Sequence, residues 1–402
     1  MLILNNATLI DGTGASPQSG MTVTVDRGRI AEVTSAPVSA GPGDRSFDLA
    51  GQFLMPGLID AHTHLGSGFL LERPANTGRF ATYDYAEHRE QALRWGVTTV
   101  RSAGDFTPDV FEVRDAAEQG ELTSPRILAA GKVLQAAGGH PGYSVYFGDE
   151  EILAHVCHLL GPDAPVEEAV RQVAESGADW VKVFVSDDNK MAYPCTVPRL
   201  SNEQLRRITA EAHRLGLPVM MHVDDLADME DAVDAGADTI EHIRNEATAG
   251  PELSQRLLDK LTEREVWVVP TLIATKLHDG SVPGAPLVWP KPQEDLRRML
   301  AAGVRIGVGC DSGIPVIPYG ECLHMELELL CQAGMTPLEA LTAATGGNAR
   351  MLRMEKEFGT VRPDLAADLL VLGSDPTQDI RNSRDIRMVV RQGRVVWDRW
   401  DS

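Results

Sequence analysis

Hydrophobic and polar positions divide the chain into three parts. Over residues 2–10, 21–26 and 29–33, short β-rich runs are separated by the turn formers Asp11-Gly12 and Asp26-Arg27-Gly28. Phe47-Asp-Leu-Ala-Gly-Gln-Phe-Leu-Met55 continues them. The far end matches: Asp368-Leu-Leu-Val-Leu372, residues 386–390 and residues 394–397 read as strands around a Gln392-Gly393 turn. Two separate β caps would each bury too little apolar surface to stand alone, so both ends are expected to form one small β-sandwich.

Between them, apolar strand runs alternate with helical periodicity. Leu58-Ile-Asp-Ala-His-Thr-His64, 97–102, 126–131, 180–185, 218–223, 238–242, 266–271 and 304–311 read as strands. Helices are expected over 85–95, 165–177, 201–215, 228–235, 251–263 and 293–302, with Ser201 and Gln204 forming a capping box. Eight strands alternating with helices match a (β/α)8 TIM barrel. A doubly wound sheet, the runner-up, would carry its ligands at one switch point. The expected domains are a composite β-sandwich of 1–55 plus 356–402 and a barrel of 56–355.

Composition narrows the function without naming it. The 402 residues are 43% hydrophobic and 24% charged, and the net charge is −21. No basic block offers a footprint for nucleic acid. No apolar run reaches the roughly 18 residues of a membrane span, and the N-terminus lacks the pattern of a signal peptide. Five cysteines with no Cys-x-x-Cys read as free thiols in a reducing compartment, hence a cytoplasmic protein. The expected partners are a small-molecule substrate and further copies of this chain.

Chemistry enters at the C-terminal strand ends, where barrels carry their functional groups. His62 and His64 are two apart, so both side chains lie on one face of the first strand and can share a metal ion. The other ends hold Lys182, His222, His242 and Asp311. Each residue alone has an ordinary explanation: a hydrogen-bonded core histidine, a salt-bridged lysine, an aspartate in a turn. Their joint appearance at ordered strand ends is what those explanations do not cover.

Here the sequence resembles the amidohydrolase superfamily over essentially its whole length. The motifs are Pro56-Gly-Leu-Ile-Asp-Ala-His-Thr-His64, Ile240-Glu-His242, Val269-Pro-Thr-Leu272, Cys310-Asp-Ser-Gly313, Met335-Thr-Pro-Leu-Glu-Ala-Leu-Thr-Ala-Ala-Thr345 and Ala367-Asp-Leu-Leu-Val-Leu372. Trp180-Val-Lys-Val-Phe184 resembles the branch with a carboxylated lysine, which includes prolidase-like enzymes, imidodipeptidases and N-acyl amino acid hydrolases. The resemblance implies two divalent ions, zinc first and manganese, iron or cobalt as alternatives. His62, His64 and Asp311 would hold one, His222 and His242 the other. A carbon-dioxide-derived carbamate on Lys182 would bridge them, because an ammonium has no acceptor to offer. A bridging hydroxide would then cleave an amide bond of a dipeptide or N-acyl amino acid. Asp311 would move the proton, and His140, with Tyr143 beside it, would meet substrate and steady the oxyanion.

Two other readings remain open at this point: a mononuclear cyclic-amide hydrolase or deaminase similar to imidazolonepropionase, and a metal-free relative that only binds. Cys310 is expected to pack away from Asp311. Ser102 stands where relatives often carry Asp, and Asp224 and Asp225 are expected to line a substrate edge and disfavour a substrate carboxylate there, which weakens a transfer of dipeptide specificity. Specificity is expected from the loops, among them 66–80, with Leu70, Leu71, Arg73 and Arg79. Arg73, Arg79, Lys276 and Arg244 are candidate partners for a substrate carboxylate, each more readily read as a surface-solvated cation.

Overall fold

The computed structural model describes residues 1–66, 85–189, 193–244, 250–280, 287–314 and 316–399. Leu70, Leu71, Arg73 and Arg79 lie outside the described residues.

Both chain ends meet in one eight-stranded mixed sheet. Leu2–Leu9 pairs antiparallel with Gln18–Asp26 and parallel with Arg45–Asp48 and Phe53–Pro56. Leu369–Leu372 then adds antiparallel to Phe53–Pro56 and carries Ile386–Arg391 and Arg394–Asp398 outward. Leu4, Val23, Leu54, Leu369 and Val390 share one apolar core. Full burial of each such side chain contributes roughly 1.5–3 kcal/mol, and residues of both ends share that contribution.

The middle of the chain is α/β. Leu58–Thr63, Val97–Ser102 and Arg126–Ala129 form a three-stranded parallel sheet. A seven-stranded parallel sheet runs in the order Cys157–Leu160, Val133–Ala136, Val181–Phe184, Val219–His222, Thr239–Glu241, Trp267–Val269, Arg305–Ile306. Leu58–Thr63 and Val219–His222 are buried at every position, as parallel strands covered on both faces must be. Ser201 and Gln204 form the expected capping box on Asn202–Arg214.

Three expectations change. The strand expected over 126–131 ends at Ala129, and two further strands, Val133–Ala136 and Cys157–Leu160, follow. Gln135 hid the first of these, because a polar residue interrupts the apolar run. It is buried and accepts a hydrogen bond from Gly142 N at 2.9 Å. The strand expected over 304–311 is regular only at Arg305–Ile306. Beyond it the chain bonds to the first inner strand instead, through Ala61 N→Val308 O at 3.0 Å, Asp311 N→His62 O at 2.8 Å and His64 N→Ser312 O at 2.7 Å. Asn348 secures this seam, donating to Ile59 O and Val308 O and accepting from Val308 N. Gly309 permits the close approach, since a Cβ there would lie 2.6 Å from His62 N. Finally, Cys310 and Cys322 are joined as a disulfide, which corrects the reading of all five cysteines as free thiols. Cys157 and Cys331 are free. A spacing of 12 residues gave no sign of the pairing, which the turn after residue 312 brings about.

Among the described residues no helix is long and apolar enough to cross a membrane.

Candidate metal centre

Strand alternation puts His62 and His64 on one side of Leu58–Thr63, and hydrogen bonds turn both rings the same way. His62 Nδ1 lies 2.5 Å from Glu241 Oε2, and His64 Nδ1 lies 2.8 Å from Gly104 O. Each Nδ1 faces an acceptor, which assigns the proton to it and leaves Nε2 with its lone pair. Both Nε2 atoms point at one carboxylate oxygen, Asp311 Oδ1, at 3.3 Å from His62 and 3.2 Å from His64. Burial acts to raise the Asp311 carboxyl, but the neighbouring His62, His64 and His242 outweigh it and hold it well below the usual carboxylate range.

The remaining histidines stand beside this group. The His242 ring lies 4.9 Å from that of His62 and 4.6 Å from that of His222. His140 lies 4.9 Å from His222, centroid to centroid. Burial drives His222 and His242 well below the ordinary imidazole value, reinforced by Lys182 at the first and by His222 at the second. Both are therefore neutral at pH 7, the form that binds a metal. His242 Nδ1 is fixed by Thr271 Oγ1 at 2.6 Å. His242, Asp311 and Thr271 hold φ of 73°, 59° and 44°. Left-handed backbone at non-glycine residues costs on the order of 1–3 kcal/mol each and persists where surrounding contacts dictate it. These strand ends are bent to aim side chains.

Lys182 is 1% exposed, and its Nζ has no hydrogen-bond partner among the described residues. It lies 5.0 Å from the centre of the Phe184 ring. Burial pushes it down to about 8, against the pull of Glu241 and Asp311. His62 Nε2 and Asp311 Oδ1 are buried without a hydrogen bond as well. An unmet buried polar atom costs about 1–3 kcal/mol, so His62 Nε2 and Asp311 Oδ1, both unmet among the described residues and 3.3 Å apart, fit a site shaped for a bound group. The donor set, imidazoles with carboxylate, suits zinc and its neighbours in the first transition row.

Of the six predicted ligands, His62, His64 and Asp311 form one group whose ligand atoms lie within 4.8 Å of one another, the His222 and His242 rings stand beside it, and Lys182 is close enough to act electrostatically on His222 and to feel Asp311. His140 stands beside His222: it is buried, its Nδ1 lies 2.5 Å from Ser144 Oγ, and burial reinforced by His222 pushes it down to about 3. Tyr143 is 49% exposed. Cys310 Sγ faces Asp60 and Cys322, away from Asp311.

Other expectations are corrected. Asp225 caps Leu226–Ala235, accepting from Asp228 N, and does not line an edge. Asp224 is buried, with Oδ2 3.1 Å from His222 Nε2, and joins His140 and His222 in a second potential ligand group. Arg244 is fully buried with Nε 2.7 Å from Asp295 Oδ2, not solvated. Lys276 packs over the Trp289 ring at 5.3 Å. Ser102 donates to Asp105, whose carboxylate also accepts from Leu65 N and Gly66 N, so an acid serves this corner from three residues further on. Glu241 and Arg101 were missed altogether. Glu241 stood beside a recognised ligand in Ile240-Glu-His242, and Arg101 was a lone charge in a buried strand.

The model of the amidohydrolase family matches residues 53–396. The chain is 26% identical over 384 residues to ochratoxinase from Aspergillus niger, covering 86% of this chain and 74% of that one. A solved Xaa-Pro dipeptidase with methionine bound in its active site superposes with a TM-score of 0.84 at 25% identity, covering 99% of both chains. Phenylurea hydrolase B superposes at 0.82 with 26% identity, covering 98% of this chain and 96% of that one. The chain belongs to the amidohydrolase family, with the TIM-barrel-like α/β fold of its relatives. It is a hydrolase acting on carbon–nitrogen bonds.

Proposed function

We propose that this amidohydrolase cleaves the amide bond of a dipeptide or N-acyl amino acid at a binuclear centre inside a closed (β/α)8 barrel of residues 56–355. The two terminal segments, 1–55 and 356–402, would fold as one β-sandwich domain beside it. His62, His64 and Asp311 would hold one ion and His222 and His242 the other. Lys182, as a carbamate, would give one oxygen to each. When bound, two divalent ions activate water and polarise the scissile carbonyl.

The observation that carries the binuclear reading is Lys182. A buried ammonium with no hydrogen-bond partner is costly and tends towards its neutral amine, which is the form that reacts with carbon dioxide. A mononuclear site needs no bridging group, so it leaves a buried lysine there without that role.

The chain's own residues supply the rest. Asp311, held as a carboxylate, takes the proton of the attacking water and returns it to the leaving amine. His140, neutral because burial and His222 depress it, stands beside His222 and steadies charge on the substrate oxygen. Phe184 packs against both rings at 5.1 Å and 4.6 Å and keeps water from that flank. Hydrolysis assays across dipeptides, N-acyl amino acids, carbamates and lactams test the substrate class. Turnover of the first two above the others is expected, and turnover confined to lactams would overturn it.

A further inference from the structure

Behind His62, on the side away from Asp311, lies a chain of buried groups that reaches across the interior. Glu241 Oε2 meets His62 Nδ1 at 2.5 Å. Its other oxygen, Oε1, accepts from Arg101 Nη2 at 2.8 Å and from Thr239 Oγ1 at 2.5 Å. Arg101 also donates from Nη1 to Thr239 Oγ1 at 3.2 Å and from Nε to Ala61 O at 2.6 Å. Its guanidinium lies 4.5 Å from the centre of the Trp180 ring. Arg101 and Glu241 are both fully buried.

This arrangement is not explained by stability. Replacing a buried ion pair with apolar residues of similar volume is often neutral or stabilising, so such a pair needs another reason to be there. The geometry supplies one. Two donors occupy Oε1, which leaves Oε2 with a single partner, the ring nitrogen of His62. Arg101 and Thr239 hold Glu241 by Oε1 and so aim Oε2 at the ring nitrogen of His62, where a carboxylate oxygen accepts. Arg101 meets Oε1 with a rigid fork of donors. It also grips the carbonyl of Ala61, the residue just before His62, so backbone and ring are fixed from one side chain.

We propose that Arg101 is a positioning residue for the metal centre: through Glu241 it keeps the proton of His62 on Nδ1 and the lone pair of Nε2 turned toward Asp311. This rests on His62 being a metal ligand, as proposed above. Arg101 touches neither substrate nor ion.

The test uses the full chain and zinc alone, with the dissociation constant read by competition against a chromophoric chelator. Arg101→Gln should weaken zinc binding by about 10–100-fold, the usual effect of losing such an outer partner. Arg101→Lys, which keeps the charge but not the fork, should recover part of the loss. The double variant Arg101→Gln/Glu241→Gln should bind no more weakly than Glu241→Gln alone, because Arg101 acts through Glu241. Parental affinity in Arg101→Gln, or losses that multiply in the double variant, would overturn the inference. If Arg101→Gln does not fold, nitrogen-15 spectra of the histidines in the chelated parent decide: a His62 proton on Nδ1 supports it, and one on Nε2 overturns it. A parent that binds no zinc would remove the metal reading itself, whereas a parent and Arg101→Gln that bind equally would remove only this inference.

Discussion

The imidazole of His222 meets that of His242 edge-on, with ring centroids 4.6 Å apart. Two buried rings at that distance cannot both carry a positive charge cheaply, and both are depressed well below the ordinary imidazole value by burial. His140 extends the row and is pushed from 6.5 down to about 3, chiefly by burial. The folded chain therefore binds fewer protons than the unfolded one between those two values, so stability falls as pH falls through that window. Thermal melts of the chelated protein should show a midpoint that drops below pH 6.5, and His140→Gln should make the drop shallower. Equal slopes for parent and variant would contradict the assignment of a neutral buried His140.

Metal should stabilise the fold as well as the reaction. The proposed ligands come from five separate strand ends and must be brought together deprotonated, so binding free energy becomes folding free energy. Chelation is expected to lower the melting temperature and abolish activity, with zinc or manganese restoring both. Differential scanning calorimetry with a parallel assay reads this, and an equally stable, active chelated protein would contradict it.

Asp311→Asn keeps the side-chain shape and removes the proton acceptor. General acid–base groups contribute typically about 10²–10⁴-fold, and a weakened ligand adds to that. Turnover should fall by at least this order while the circular dichroism spectrum stays parental. A variant within a few-fold of the parent would mean that the proton moves elsewhere.

Lys182→Ala should lose both metal and activity, because it deletes the proposed bridge. Short carboxylic acids in the buffer are expected to restore part of the activity by filling the gap with a carboxylate. Steady-state assays with and without formate or acetate read this. A variant that works as well as the parent without such an additive would remove the lysine from the centre.

The α/β order of the chain and the candidate site residues were legible in the sequence because both rest on short-range rules. Strand alternation places His62 beside His64, and strand ends preceding helical runs single out Lys182, His222, His242 and Asp311. What escaped depends on contacts distant in sequence. Arg101 and Glu241 are 140 residues apart and look like solvent-facing charges until the strands pack together. The 50 residues between Arg244 and Asp295 hid that pair similarly, since a cation on a loop ordinarily meets water. Val133–Ala136 escaped because buried Gln135 breaks the apolar pattern, and only its hydrogen bond from Gly142 explains the break. Cys310 and Cys322 pair through the path of a turn that no residue spacing encodes.

If Lys182 joins a pair of ions, the purified, zinc-loaded full chain should carry close to two metal ions, measured by inductively coupled plasma mass spectrometry after removal of loosely held ions. A value near one would replace the binuclear centre with a mononuclear one, and a value near zero would contradict the metal assignment entirely.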